Sequence, residues 1–279
     1  MNQPRVYKNS AASLILIVLF FIAFLVPVLF GLGSDSVTII LPIIGFVLFI
    51  FAVLFLAHSS KVILSDDEIT VQNLLGSKTL RWTEVHRVSG RGSGIKLHNF
   101  DEDVTVAPNP SLPGYEEIIA FIGTKRPDLF SPQEYSEMRR GWLSLIPLAI
   151  ILLVFFGFML GLVWQFLSSP DQSPVTYMPG FVLVFVTVII VGMALSMPHT
   201  LTLEGNSLTI KYLFNEKNLR ADEIASVQYA YTRTRNGKVY YIALHLTNRK
   251  MVRVSGLGIS LPVAYLVLRN WHKQNTATH

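Results

Sequence analysis

The residues whose type and spacing best suit chemistry are basic side chains near the carboxyl end of the chain. After residue 197 the chain has eleven Lys or Arg and four Asp or Glu residues, whereas residues 58–141 have ten and twelve. Six of the basic residues flank two predicted hairpins: Arg233, Arg235, Lys238, Arg249, Lys250 and Arg253. Because a basic residue close to an anionic bilayer gains about 1 kcal/mol, these six are candidate contacts for anionic lipid. The alternative is a solvated hairpin with no ligand.

A glycine-rich run at residues 89–94, Ser-Gly-Arg-Gly-Ser-Gly, is the second candidate. A phosphate-binding loop lies between a strand and a helix, so that backbone N–H groups and the helix dipole meet at the anion. Here Ile95, Lys96 and Leu97 follow the run with the pattern of a strand. We therefore predict a hairpin turn and not a phosphate-binding loop.

Metal, cofactor and catalytic sites are not predicted. Cysteine is absent, and none of the seven histidines has a second histidine four residues away, which is the spacing of a helical metal site. The sequence has no nucleophile elbow and no kinase motif. Four tyrosines near the basic hairpins suit strand packing as well as base stacking: Tyr229, Tyr231, Tyr240 and Tyr241. We therefore predict a protein that is not an enzyme, has no cofactor or metal and binds no nucleic acid.

Apolar residues dominate the composition and occur in four blocks. They make up 51% of the chain, against 15% for charged residues. The blocks at 13–33, 37–57, 142–167 and about 179–197 contain no Asp, Glu, Lys, Arg or His. Because a helix that spans a bilayer needs about 20 apolar residues, this pattern predicts four transmembrane helices in two hairpins. The first block exceeds the ~7–15 apolar residues of a signal-peptide core, which argues against that alternative.

The distribution of charge predicts the sidedness of these helices. Lys and Arg occur only before the first block, between the second and third, and after the fourth, while the other two loops carry one acidic residue each, Asp35 and Asp171. The positive-inside rule then places both termini and both polar regions in the cytoplasm. We expect a multi-pass protein of the cytoplasmic (inner) membrane. Arg139, Arg140 and Trp142 are the expected interface anchors of the third helix.

The chain contains an internal duplication. A shift of 139 residues aligns 61–88 with 200–227 without gaps, and eight of the 28 pairs are identical. Further on, Ser-Leu-Pro at 111–113 recurs at 260–262, which is a shift of 149. Both copies alternate apolar and polar residues with period two, which predicts strands, and both end in a predicted helix with one apolar stripe. We expect six or seven short strands and one terminal helix in each copy.

The repeated block resembles the bacterial pleckstrin-homology (PH-like) domain. The similarity lies in Leu-Ser-Asp-Asp-Glu-Ile-Thr-Val at 64–71 and Leu-Arg-Trp-Thr-Glu-Val at 80–85. The second copy is similar at 203–210 and 219–224 but has Ala221 in place of the tryptophan. The resemblance implies a small β-barrel closed by a helix, and it implies no catalytic residue. The phosphoinositide site of eukaryotic relatives is not expected, because the corresponding turns at 65–68 and 204–207 have no basic residue.

These patterns divide the chain into six segments. They are a cytoplasmic tail at 1–12, a transmembrane hairpin at 13–57, a PH-like domain at 58–130, an interfacial linker helix at 131–141, a second transmembrane hairpin at 142–197 and a second PH-like domain at 198–279. We expect a non-enzymatic membrane protein whose two domains act as docking or complex-assembly modules. Its expected partners are the lipid bilayer and other membrane or cytoplasmic proteins, and homo-oligomerisation stays open. The alternative is an anionic-lipid-sensing or transport-associated membrane protein.

Overall fold

The computed structural model describes residues 4–10, 15, 18–23, 26, 37–140, 146–168, 178–195, 197–235 and 237–276. The strands are β1 (Arg5–Lys8), β2 (Lys61–Leu64), β3 (Glu68–Asn73), β4 (Gly76–Arg81), β5 (Arg87–Ser89), β6 (Lys96–His98), β7 (Thr105–Val106), β8 (Glu137–Arg139), β9 (Thr200–Glu204), β10 (Ser207–Lys211), β11 (Glu216–Arg220), β12 (Ile224–Thr234), β13 (Gly237–Leu246) and β14 (Met251–Val254). The helices with described bounds are α1 (Val37–His58), α2 (Tyr115–Lys125), α3 (Ile146–Ser168), α4 (Met178–Leu195) and α5 (Leu261–Thr276). Short 3-10 turns occupy Trp82–Glu84, Pro127–Phe130 and Ala221–Glu223.

The chain divides into two compact units. Unit 1 contains Met1–Phe130 together with Thr232–Val239, and unit 2 contains Ser131–Tyr231 together with Tyr240–His279. The division of the main segments after Phe130 follows the internal duplication, since each unit holds one copy of the repeated block.

The first copy forms two antiparallel sheets, with strand orders β1-β2-β3-β4 and β5-β6-β7. In the smaller sheet Val88, Leu97 and Val106 lie side by side in register and face the core, which is what alternation with period two requires. Helix α2 adds the apolar stripe that the spacing predicts, and its members are fully buried: Tyr115, Ile118, Ile119 and Ile122.

The second copy repeats this plan with sheets of order β11-β10-β9-β8 and β12-β13-β14. Along β13, Ile242 and Leu244 pair with Val254 and Val252 of β14, and all four side chains are buried. The members of the predicted stripe of α5 are buried: Val263, Leu266, Val267 and Trp271. Burial extends beyond the stripe, because every residue of Leu261–Leu268 is buried.

The prediction of a small β-barrel that ends in a helix in each copy is wrong, because the strands of each copy form two separate sheets. The 3-10 turn Trp82–Glu84 lies between β4 and β5, and the turn Ala221–Glu223 lies between β11 and β12. At each turn the chain leaves the four-stranded sheet and enters the three-stranded one. The core of each copy is therefore enclosed by two sheets and a helix.

Each four-stranded sheet includes a strand from upstream of the helices. β1 pairs with β2 so that Lys8 faces Lys61, and β8 pairs with β9 so that Arg139 faces Thr200. Lys61 and Thr200 are equivalent in the duplication, so the repeat begins earlier than the sequence alignment indicates. The linker helix predicted at 131–141 is replaced by one turn and then β8. Its Met138 is fully buried between exposed neighbours, which is the alternation of a strand and not the spacing of a helix.

The prediction of four transmembrane helices in two hairpins is wrong. A helix that crosses a bilayer needs about 20 apolar residues, and none of the helices in the described part of the chain is both long enough and apolar enough. The predicted location, a multi-pass protein of the cytoplasmic membrane with both termini inside, depended on those helices and is wrong for the same reason. Most of the block at 13–33 lies outside the described residues.

The two copies place a buried tryptophan in different elements. In the first copy Trp82, in the 3-10 turn, donates its indole N–H to the carbonyl oxygen of Ser65 at 3.1 Å. In the second copy Trp271, in α5, donates to the carbonyl oxygen of Gly205 at 2.7 Å. Position 221, which is equivalent to Trp82, is a buried alanine. The second copy thus lacks a tryptophan in the 3-10 turn and has a buried tryptophan, Trp271, in its terminal helix instead.

Candidate functional site

Two β-hairpin turns expose pairs of large apolar side chains. In the β3–β4 turn Leu74 is 60% exposed and Leu75 is 81% exposed. In the β10–β11 turn Leu213 is 57% exposed and Phe214 is 83% exposed. We name these pairs tip 1 and tip 2.

The backbone of each hairpin explains why the tips leave the sheet. The β3–β4 pairing ends at Asn73 opposite Gly76, so the two leucines occupy the centre of the turn. Asn73 stabilises the turn, because its Oδ1 accepts the N–H of Leu75 at 2.9 Å. In the second hairpin the N–H of Tyr212 donates to the carbonyl oxygen of Asn215 at 2.7 Å, which closes the loop behind tip 2.

The charge at each tip is also defined. Burial raises the pKa of the Tyr212 phenol above its ordinary value, so this ring beside tip 2 is neutral at physiological pH. Lys78 follows tip 1 on β4, and Lys217 follows tip 2 on β11. Each tip is therefore an apolar pair with a lysine on the strand that follows, and at tip 2 the exposed Glu216 precedes that lysine.

The two tips occupy equivalent positions in the duplication. The shift of 139 residues that aligns the copies carries Leu74, Leu75 and Lys78 onto 213, 214 and 217. Single exposed apolar residues are common on protein surfaces and require no explanation. A pair repeated at the same turn of two copies is different, since neither pair contributes to a core. Sequence alignment finds the match of Leu74 with Leu213, but only the turn geometry shows that both are exposed.

The six basic candidates are divided between the two units. In unit 1, Arg233 and Arg235 are exposed at the end of β12 and in the turn that follows, and Lys238, at the start of β13, forms an ion pair with Glu116 at 3.2 Å. In unit 2, Arg249 and Lys250 are in the β13–β14 turn, and Arg253 pairs with Ala243 across the β13–β14 ladder. The guanidinium of Arg253 lies 4.8 Å from the centre of the Tyr241 ring. Contact of these residues with anionic lipid stays a prediction.

Two of the three predicted interface anchors, Arg139 and Arg140, lie in the described part of the chain. Arg139 is exposed on β8, and the backbone N–H of Arg140 donates to the carbonyl oxygen of His199 at 2.8 Å. The Arg140 guanidinium lies 3.5 Å from the sulfur of Met197. Trp142 lies outside the described residues. Without the predicted third transmembrane helix, the anchoring role has no basis.

The glycine-rich run forms the predicted hairpin turn between β5 and β6, and a groove of about 600 Å³ lies beside it. Next to this groove, Ser89 Oγ lies 2.7 Å from Nε2 of His98, and Thr105 Oγ1 lies 3.1 Å from Nδ1 of the same ring. Sequence reasoning missed this chain of hydrogen bonds, because its three members come from three strands.

Among the described residues, no group of three or more His, Cys, Asp or Glu side chains could hold a metal ion. The absence of catalytic activity and of a cofactor stays a prediction. No protein-family model matches the chain, and no curated protein matches it. The function is therefore inferred from the side chains that each unit presents.

Proposed function

We propose that the chain is a non-enzymatic docking protein built from two PH-like modules, each of which binds a partner protein through its apolar tip. The resemblance at 64–71 and 80–85 supports the PH-like identity, as do the seven strands and terminal helix of each copy. The observation that carries the docking proposal is the exposure of two large apolar side chains at the same turn of both copies.

The chemistry of the tips defines the pocket that would receive them. Fully burying a Leu or Phe side chain is worth roughly 1.5–3 kcal/mol, so two such side chains make an effective anchor for a protein pocket. Lys78 follows tip 1, and Lys217 follows tip 2 after the exposed Glu216. A carboxylate on the rim of that pocket would complement the lysine that both tips share. We therefore expect a protein partner with an apolar pocket that has an acidic rim.

Site-specific photocrosslinking in cells tests this proposal. A photoreactive phenylalanine analogue at Leu75 or at Phe214 is expected to give a discrete crosslinked product, and both positions should yield the same partner. In a chain with Leu74→Asp and an analogue at Leu75, the yield should fall by about tenfold or more, because a charged residue cannot enter an apolar pocket.

The duplication supplies matched control positions at Thr79 and Asn218. Both are exposed on the strand after the tip, and both are occupied by a cross-strand hydrogen bond, to Thr70 at 2.9 Å and to Thr209 at 2.7 Å. Equal crosslinking at the controls and the tips, or none at either tip, would contradict the proposal. A product with twice the mass of the chain would identify a second copy as the occupant and would overturn the proposal of a different partner.

A further inference from the structure

The groove beside the β5–β6 turn is built from two loops of unit 1. One wall contains Ser89, Gly90, Arg91 and Gly94, and the other contains residues 107–110. We name it the hairpin groove. Its volume of about 600 Å³ falls within the ~300–1,000 Å³ range of small-molecule sites.

The hairpin groove is positive in a region of the chain that is not. Of the ten described residues that line it, Arg91 and Lys96 are the charged ones, and neither Asp nor Glu is among them. Residues 58–141 as a whole have ten basic and twelve acidic residues, so this pair of cations is a local excess. The ligand that complements such a groove is an anion.

Ser89 supplies a hydroxyl group to the groove wall, and this group is hydrogen-bonded to the imidazole ring of His98. In the tautomer that carries the proton on Nε2, His98 donates to Ser89 Oγ and accepts at Nδ1 from the hydroxyl of Thr105. The hydroxyl proton of Ser89 is then directed away from His98. In this tautomer the chain of hydrogen bonds across three strands leaves the Ser89 hydroxyl proton for a ligand in the groove.

The loop that carries Arg91 is fixed before any ligand binds. The hydroxyl of Tyr115, a fully buried residue of α2, donates to the carbonyl oxygen of Ser93 at 2.8 Å. Within the loop the N–H of Gly94 donates to the carbonyl oxygen of Arg91 at 3.0 Å. A loop ordered in advance loses less conformational entropy when it binds.

We propose that the hairpin groove binds a small ligand with a phosphate monoester group. Arg91, Lys96 and the hydroxyl of Ser89 hold the dianion, and the exposed Ala107 and half-buried Pro110 line the space for its organic part. This binding site does not depend on the docking function of the tips.

Isothermal titration of the full chain with phenyl phosphate tests the site. We expect saturable binding with one ligand per chain. Arg91→Ala and Lys96→Ala should each weaken binding by about tenfold, because a hydrogen bond to a charged group is worth roughly one decade of affinity. Both side chains are exposed, so neither change disturbs the core.

Arg87→Ala is the matched control. It removes the same charge from the same hairpin, but Arg87 is paired with Glu102 at 2.5 Å and does not line the groove. Its affinity for phenyl phosphate should stay within about twofold of the wild-type value. Equal losses in Arg87→Ala and Arg91→Ala would show attraction by net charge alone and would overturn the proposal.

A second titration separates the two sources of a phosphate monoester. Phosphatidylcholine vesicles containing phosphatidic acid present the same group on a lipid. Binding to these vesicles without any response to phenyl phosphate would overturn the assignment of a small soluble ligand. The proposal also fails if phenyl phosphate gives no heat at millimolar concentration, or if the Arg91→Ala, Lys96→Ala double variant binds it as the wild-type chain does.

Discussion

The substitution Trp271→Ala is expected to lower the free energy of unfolding of unit 2 by about 3–5 kcal/mol, the range for removing a large buried aromatic side chain. Trp271 is 2% exposed, and its indole N–H is bonded to the carbonyl oxygen of Gly205. The alanine would leave a cavity in the core and would also leave the carbonyl oxygen of Gly205 without this donor.

This cost should be high because the second copy has exchanged large and small residues across its core. The shifts of the duplication make Trp82 equivalent to Ala221, and Ile122 equivalent to Trp271. The first copy pairs a tryptophan in the turn with an isoleucine in the helix, and the second pairs an alanine with a tryptophan. Since protein cores are close-packed, neither position can change size alone without a cavity or a clash.

Hydrogen exchange of the amides in β9 and β10 measures the effect, since a single melting temperature is not specific to one unit of a two-unit chain. Trp271→Phe is the control, because it keeps an aromatic ring and loses the N–H donor, and it should cost about 1–2 kcal/mol. In a Trp271→Ile background, Ala221→Trp should recover part of the stability. If that double variant is no more stable than Trp271→Ile alone, the two positions do not compensate each other.

Local patterns predict the strands and terminal helices of both copies. The alternation in residues 61–88 and 200–227 and the stripes of α2 and α5 all involve neighbours in sequence, and burial follows them closely. The partner of a strand is not a local property. Lys8 faces Lys61 although 52 residues lie between them in the sequence, and nothing in the sequence of β1 specifies β2 as its partner.

The surfaces are predicted less well than the cores, for two physical reasons. Whether an apolar residue is buried depends on the element that carries it. Leu75 and Phe214 are of residue types that usually lie in cores, but they lie in hairpin turns and are exposed. Closeness in sequence also does not decide which unit a residue joins, since the chain changes units within β13, so that Arg235 belongs to unit 1 and Arg249 to unit 2. The helices show that apolar composition alone does not determine the surroundings of a residue. Composition led to the prediction of four transmembrane helices, which is wrong.

The upstream strand of the second copy offers a second test with a large effect. A methyl group added at Gly258 would lie 1.9 Å from the carbonyl oxygen of Arg139 and 2.9 Å from its carbonyl carbon. The same methyl group would lie 3.2 Å from the Cα of Arg140. All three atoms belong to the backbone, so no side-chain rotation can relieve the contact, and β8 itself must move.

We therefore expect Gly258→Ala to cost about 3 kcal/mol, at the upper end of the range for overpacking. β8 is a short edge strand, held by its pairing with β9 and by the buried Met138. Displacing it should remove the bonds from the N–H of Arg140 to His199 and from the N–H of Leu203 to Ser136, which are 2.8 and 2.7 Å long. Those two amides should exchange with solvent much faster than in the wild-type chain.

Gly192→Ala is the control for this experiment, because it adds the same methyl group to the same unit at a position with no atom within 4 Å. It lies in α4, where alanine is favoured over glycine by about 1 kcal/mol, so stability should be unchanged or slightly higher. If Gly258→Ala keeps wild-type protection at Arg140 and Leu203, β8 does not press on this glycine. The edge of the sheet would then tolerate a side chain there, and the pairing of β8 with β9 would have to differ from the one described.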